Sequence, residues 1–136
     1  MGNDPDRDLV DRLLKAGVDQ LEDADAGRLL LSELSAGRPI EQLRELLQSD
    51  NEASVEIGAF VAAKLGPATR AVLADVAALL DYPNTAVRFY AIEAIEVSAT
   101  ADDGDIVARA LALVNDPDDA VRWRAHHFQA AIRGGQ

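Results

Sequence analysis

The chain has 136 residues, a formal net charge of −11, 49% hydrophobic but only 4% aromatic residues, and no cysteine. That length fits one domain with a real core, and the missing cysteines exclude disulfides and thiolate metal sites. So acidic a surface repels phosphate backbones and anionic lipid and favours a basic partner, though acidity alone also keeps a protein soluble.

With few aromatics, Leu, Val, Ile and Ala must fill the core, which suits closely packed helices better than a β-sandwich. The N-terminus, Met1 to Asp8, is acidic and lacks the apolar core of a signal peptide. It shares only Gly2 with the myristoylation pattern. No apolar run approaches the ~20 residues that span a bilayer, so the expectation is a cytoplasmic protein without a membrane contact.

Helical signals then follow one another along the chain. Asp4-Pro5 has an N-cap and N1 signature, followed by Leu9, Val10, Leu13 and Leu14 at helical spacing and a stop at Gly17. A second helix fits Ala24 to Ala36, with Ala26, Leu30 and Leu34 on one face and Gly37 as its stop. Pro39 opens a third, carrying Ile40, Leu43, Leu46 and Leu47 to an end near Ser49-Asp50-Asn51. The fourth covers Glu52 to Leu65 and stops at Gly66-Pro67, and the fifth carries Val72, Leu73, Val76, Leu79 and Leu80. Asn84 caps the sixth. The seventh starts near Asp103-Gly104-Asp105 and carries Ile106, Val107, Ala110, Leu111 and Val114. The eighth runs from the cap Asp118 to Gly134-Gly135. No stretch alternates with period two, so no strand is expected.

Two of these passages are one motif written twice. Leu79-Leu80-Asp81-Tyr82-Pro83-Asn84-Thr85-Ala86-Val87-Arg88 matches Leu113-Val114-Asn115-Asp116-Pro117-Asp118-Asp119-Ala120-Val121-Arg122, with 34 residues separating Val87 from Val121. Leu47, Leu80 and Val114 close the first helix of three successive pairs, and Val55, Val87 and Val121 open the second. Ala59, Ala91 and Ala125 lie one turn further on, where a small residue lets paired helices approach. A period of this length indicates stacked helical repeats. The expectation is one all-α domain over residues 1–136: a short right-handed solenoid of four antiparallel hairpins, about 4–36, 39–65, 68–97 and 103–133, the first an atypical cap.

Asp-Pro-Asp-x-Ala-Val-Arg-x-x-Ala, as in Asp116 to Ala125, resembles the HEAT-like repeat, in the short form also found in phycobilisome-lyase relatives. The resemblance is clear over 68–132, fair over 39–66 and weak before that. It implies a binding scaffold and speaks to fold more than to function. It also implies a structural ladder between neighbouring repeats, made by Asp81 with Arg88 and by Asp116 with Arg122. Glu56 stands where the equivalent arginine belongs, which breaks the expected ladder there.

Helical wheels at about 100° per residue place Val87, Ala91, Ala94 and Ile95 inward, with Phe89, Ile92, Glu93 and Glu96 opposite. They bury Val121, Ala125, Phe128 and Ile132, leaving Trp123, His126, His127 and Ala130 opposite. On the fourth helix Ile57, Phe60, Val61 and Lys64 take those places. Ile57, Phe89 and Trp123 therefore share one position in three repeats. They form either an apolar strip on the concave surface, rimmed by Lys64, Glu93, Glu96 and His127, or the filling of the seams between second helices.

Nothing in the sequence points to catalysis or a cofactor. There is no GxSxG, P-loop, GxGxxG or HExxH pattern. His126 and His127, the chain's two histidines, point apart on a helix and make a poor metal site. The acidic clusters Asp19-Glu22-Asp23-Asp25, Asp102-Asp103-Asp105 and Asp116-Asp118-Asp119 fall at turns and helix starts, where carboxylates cap backbone N–H groups. The composition, rich in Ala, Leu and Asp, suits a bacterial protein. The expected function is a non-enzymatic scaffold or adaptor, monomeric or weakly dimeric, that binds a basic protein and not nucleic acid. The alternative is an immunity-type protein neutralising a basic toxin, and behind it a small lyase or glycosylase-like enzyme.

Overall fold

The computed structural model describes residues 28, 30–37 and 39–134. Residues 30–35 are helical. After them come α1 (Glu41–Leu47), α2 (Glu52–Leu65), α3 (Leu73–Ala77), α4 (Thr85–Ser98), α5 (Gly104–Leu111) and α6 (Asp119–Gly134). Stretches of 3-10 helix, Gly66–Val72, Ala78–Asp81, Ala101–Asp103 and Ala112–Asn115, join or extend them. Among the described residues there is no strand, and the fold is all-α. The expected first helix, with Leu9 to Gly17, and the start of the second lie outside the described residues.

Local sequence accounts for the boundaries. Asn51 accepts from the Ser54 N–H at 3.2 Å, Asn84 from Ala86 and Val87 at 2.8 and 3.2 Å, and Asp118 from Ala120 and Val121 at 2.9 and 3.1 Å. Each α2, α4 and α6 thus begins on a side-chain cap for otherwise orphaned N–H groups. Gly37 and Gly66 end the preceding helices at φ 117° and 82°, a region that favours glycine.

Where continuous fifth and seventh helices are expected, the structure winds their last turns into 3-10 helix. Proline explains the difference. Tyr82 and Asp116 precede Pro83 and Pro117 and are extended, with ψ 141° and 145°. A residue before proline is excluded from the α region, so each final turn tightens. Tyr82 N then bonds Leu79 O and Asp116 N bonds Leu113 O, both at 3.0 Å.

The core centres on α4, which packs against α2 on one side, α6 on the other, and α3 with its flanking 3-10 turns beneath. Val87, Ala91, Ala94 and Ile95 are fully buried, as the wheel indicates, but so is Ile92, which the wheel turns outward. A wheel allots one buried face, and a helix with neighbours on both sides buries two. Ala59, Ala91 and Ala125 are buried as small spacers. The tightest approach on α2 falls one residue earlier, at Gly58, where a Cβ would stand 3.0 Å from Leu46 Cβ and 3.3 Å from Leu47 N.

Against the expectation of no long apolar run, Glu52–Asp81 is long and apolar enough by length and composition alone to cross a membrane, with a mean hydropathy of 1.3. Half of that window is buried inside the fold, and Gly66 breaks the α-helix within it. The apolarity therefore belongs to the core.

Candidate functional site

The helices α2, α4 and α6 lie side by side, and a chain of rings crosses them. Phe60 and Tyr90 meet edge to face with centroids 5.6 Å apart, and Tyr90 meets Phe89 the same way at 5.7 Å. Phe89 stacks parallel to Trp123, 6.5 Å between centroids and 7° between planes, and Trp123 lies 5.2 Å from the ring of His127. Such pairs contribute about 0.5–1.5 kcal/mol each beyond area burial. Trp123 remains 58% exposed.

The structure grades the expected strip. Ile57 and Val61, expected on the partner-facing surface, are buried at 8% and 0% exposure, so they are core residues. Helix α2 is covered by α1 and α4, which leaves those short side chains no route to solvent. Phe89 is half-buried, and only Trp123 of the three equivalent residues presents a large face to solvent. Seam filling thus describes the α2 end and an exposed strip the α6 end.

The rim differs as well. Lys64 Nζ bonds Glu93 at 3.0 Å, and Arg124 donates to Glu96 at 2.8 Å, so both glutamates are half-buried internal partners. Arg124 Nη1 also lies 3.0 Å from His127 Nδ1. The same Nδ1 lies 3.7 Å from the Glu96 carboxylate, so Arg124, Glu96 and His127 meet at one point. The Arg124 guanidinium lies 5.9 Å from the Phe89 centroid, and its buried Nε has no hydrogen-bond partner. Sequence reasoning missed Arg124 and Tyr90. A signal was available: Arg124 follows Glu96 by 28 residues, the same step that separates Arg88 from Asp116.

That step also corrects the ladder. Arg88 grips Asp116 of the next unit with Nε at 2.9 Å and Nη2 at 3.1 Å, while Nη1 donates to the Tyr82 and Pro83 carbonyls. Asp81 is exposed, because the position equivalent to Asp116 is Tyr82. Arg122 donates to the Asp116 backbone carbonyl and pairs with Asp119, not with the Asp116 carboxylate. At Glu56 the rung survives in another form, since Asn84 Nδ2 donates to Glu56 at 3.0 Å, again 28 residues on. Burial pushes the Asp116 carboxyl up, but Arg88 and the Asp118 N–H outweigh it and hold the group below the usual carboxylate range.

The other acidic cluster described also caps. Asp103 accepts from Thr100 N–H in a capping box and pairs with Arg70, which together lower its pKa. Asp19 to Asp25 lie outside the described residues. No group of three or more His, Cys, Asp or Glu among the described residues could hold a metal ion. No family model, curated protein or solved structure matches the chain.

Proposed function

We propose that this chain is a HEAT-like solenoid of stacked helical hairpins that works as a non-enzymatic protein-binding module. Its second helices form the concave face, and a basic protein or peptide docks over Phe89 and Trp123. The observation that carries this reading is the exposed indole of Trp123, stacked on Phe89; among the described residues Val97 is the other exposed large apolar side chain, and it is less so. An aromatic held rigid by a second ring loses little entropy on binding, which is what makes an anchor. The net charge of −11 supports a basic partner.

Recovery of partners from the source cell with the intact chain as bait is the test. Trp123→Ala should weaken the recovered complex by about 2 kcal/mol or more, as aromatic hot spots do, while lowering the melting temperature less than a core truncation such as Leu80→Ala does. The exposed carboxylate of Asp119 is the better steering probe. Reversing Glu96 would strand the buried Arg124 and confound binding with folding. Turnover of a substrate by the purified chain, with no protein recovered, would overturn the reading.

A further inference from the structure

We infer that the exposed indole of Trp123 receives an arginine side chain of the partner, an inference that rests on the protein-binding reading and specifies its chemistry. The row of second helices carries a repeated pairing of ring with cation. Lys64 Nζ stands 6.0 Å from the Phe60 centroid and is held by Glu93. Arg124, from the next helix along, stands 5.9 Å from the Phe89 centroid and is held by Glu96. Phe60 and Phe89 thus each meet a cation that a carboxylate of α4 holds.

Trp123 follows Phe89 in the chain of rings. One side of the indole is against Phe89, and the residue remains 58% exposed. At the position four residues on, where Phe60 has Lys64, Trp123 has His127, whose ring centroid lies 5.2 Å from the indole and whose Nδ1 is 3.0 Å from Arg124. Indole is the strongest of the aromatic cation acceptors, and guanidinium stacks flat on it with little desolvation cost. One turn before Trp123 on α6, Asp119 is 92% exposed and pairs with the half-exposed Arg122. A partner arginine over the indole reaches that carboxylate by exchanging with Arg122. The row is then completed from outside in the way its inner members are completed from within.

The experiment uses the full chain and the fluorescence of Trp123, the sole tryptophan. Two nine-residue peptides are titrated at physiological salt, one with three spaced arginines and one with citrulline in their place. Citrulline keeps the shape and the planar group and removes the charge. Three variants, Trp123→Phe, Trp123→Leu and Trp123→Ala, are compared after circular dichroism and melting confirm that each is folded. For the variants, which lack the indole, a dye on the peptide reports binding. The expected result is that the arginine peptide perturbs the indole emission and binds at least about fivefold tighter than the citrulline peptide. Trp123→Phe should lose a few-fold, and Trp123→Leu, which keeps apolar area without a π face, should lose nearly as much as Trp123→Ala.

If the citrulline peptide binds as well as the arginine peptide and Trp123→Ala still abolishes binding, the face docks by apolar contact. The inference then fails while the binding reading stands. Binding of the arginine peptide undiminished in Trp123→Ala, or no binding of either peptide, overturns the inference, and the binding reading then stands or falls on the recovery of a partner.

Discussion

Residues 66–98 and 101–134 are copies of one design with opposite outcomes in burial. In the first, Val72, Leu73, Val76, Ala77, Leu79 and Leu80 are all at most 5% exposed. Their counterparts 34 residues on are Ile106, Val107, Ala110, Leu111, Leu113 and Val114, of which Ala110 alone is buried and the rest are half-buried. The second helices differ in composition too. His126 and Gln129 stand where α4 has the fully buried Ile92 and Ile95. Helix α4 has a second helix on each side, whereas α6 has one only at α4 among the described residues. The contrast teaches that burial follows the number of neighbours, and that the repeat changes residue type mainly where a neighbour is absent.

The polar rungs should separate the two copies most. Asp116 is buried and Arg88 half-buried, with side chains 5% and 12% exposed. Removing the guanidinium in Arg88→Ala leaves a buried carboxylate unpaired, expected to cost about 3–5 kcal/mol in urea unfolding. Arg122→Ala, which loses a carbonyl bond and an exposed pair, should cost about 1 kcal/mol. Equal losses would break the comparison.

Next in size, Ile92→Ala should cost about 2–5 kcal/mol. Its counterpart His126→Ala should stay within about 0.5 kcal/mol, because it is an exposed surface change. Thermal melts of the two variants check this, and a large effect at His126 would mean that α6 has a covered outer face.

A smaller effect should appear with pH. Asp116 has its pKa lowered in the fold, so it binds a proton less readily folded than unfolded. Its stabilisation is present above the unfolded carboxylate range and is lost as pH falls through the folded value. Melting curves from neutral to acid pH should therefore fall more steeply for the wild type than for Asp116→Asn, which starts lower and responds less. Parallel curves would show that Arg88 does not hold the charge. Smallest of all, a double-mutant cycle on Lys64 and Glu93 should give a coupling of about 0.2–1 kcal/mol, since Lys64 is 42% exposed and solvent screens the pair.

Much of the molecule was legible in the residues alone. Helix α2 falls on Glu52 to Leu65 as its caps and spacing indicate, Asn84 and Asp118 are caps, and Gly37 and Gly66 are stops. These are short-range decisions, made by whether a side chain can reach an N–H two or three residues away or whether a backbone angle tolerates a Cβ. The 3-10 turns before Pro83 and Pro117 were legible in principle, for the same local reason. The site was legible only in part. A wheel picks out Trp123, Phe89 and His127, but it cannot say that Ile57, Val61 and Ile92 are covered, because covering is done by helices distant in sequence.

Sequence by itself determined the helices, their ends, the period and the acidic balance, all of which depend on neighbours along the chain. Tertiary structure decided which copy of each residue is buried. It joined Arg88 to Asp116 rather than to Asp81, turned Glu93 and Glu96 inward as partners of Lys64 and Arg124, and left Trp123 open beside Phe89. The physical reason is that a repeated sequence writes the same instruction in every unit. A residue's environment comes from the helices packed beside it, and among the described residues α6 has fewer of them than α4.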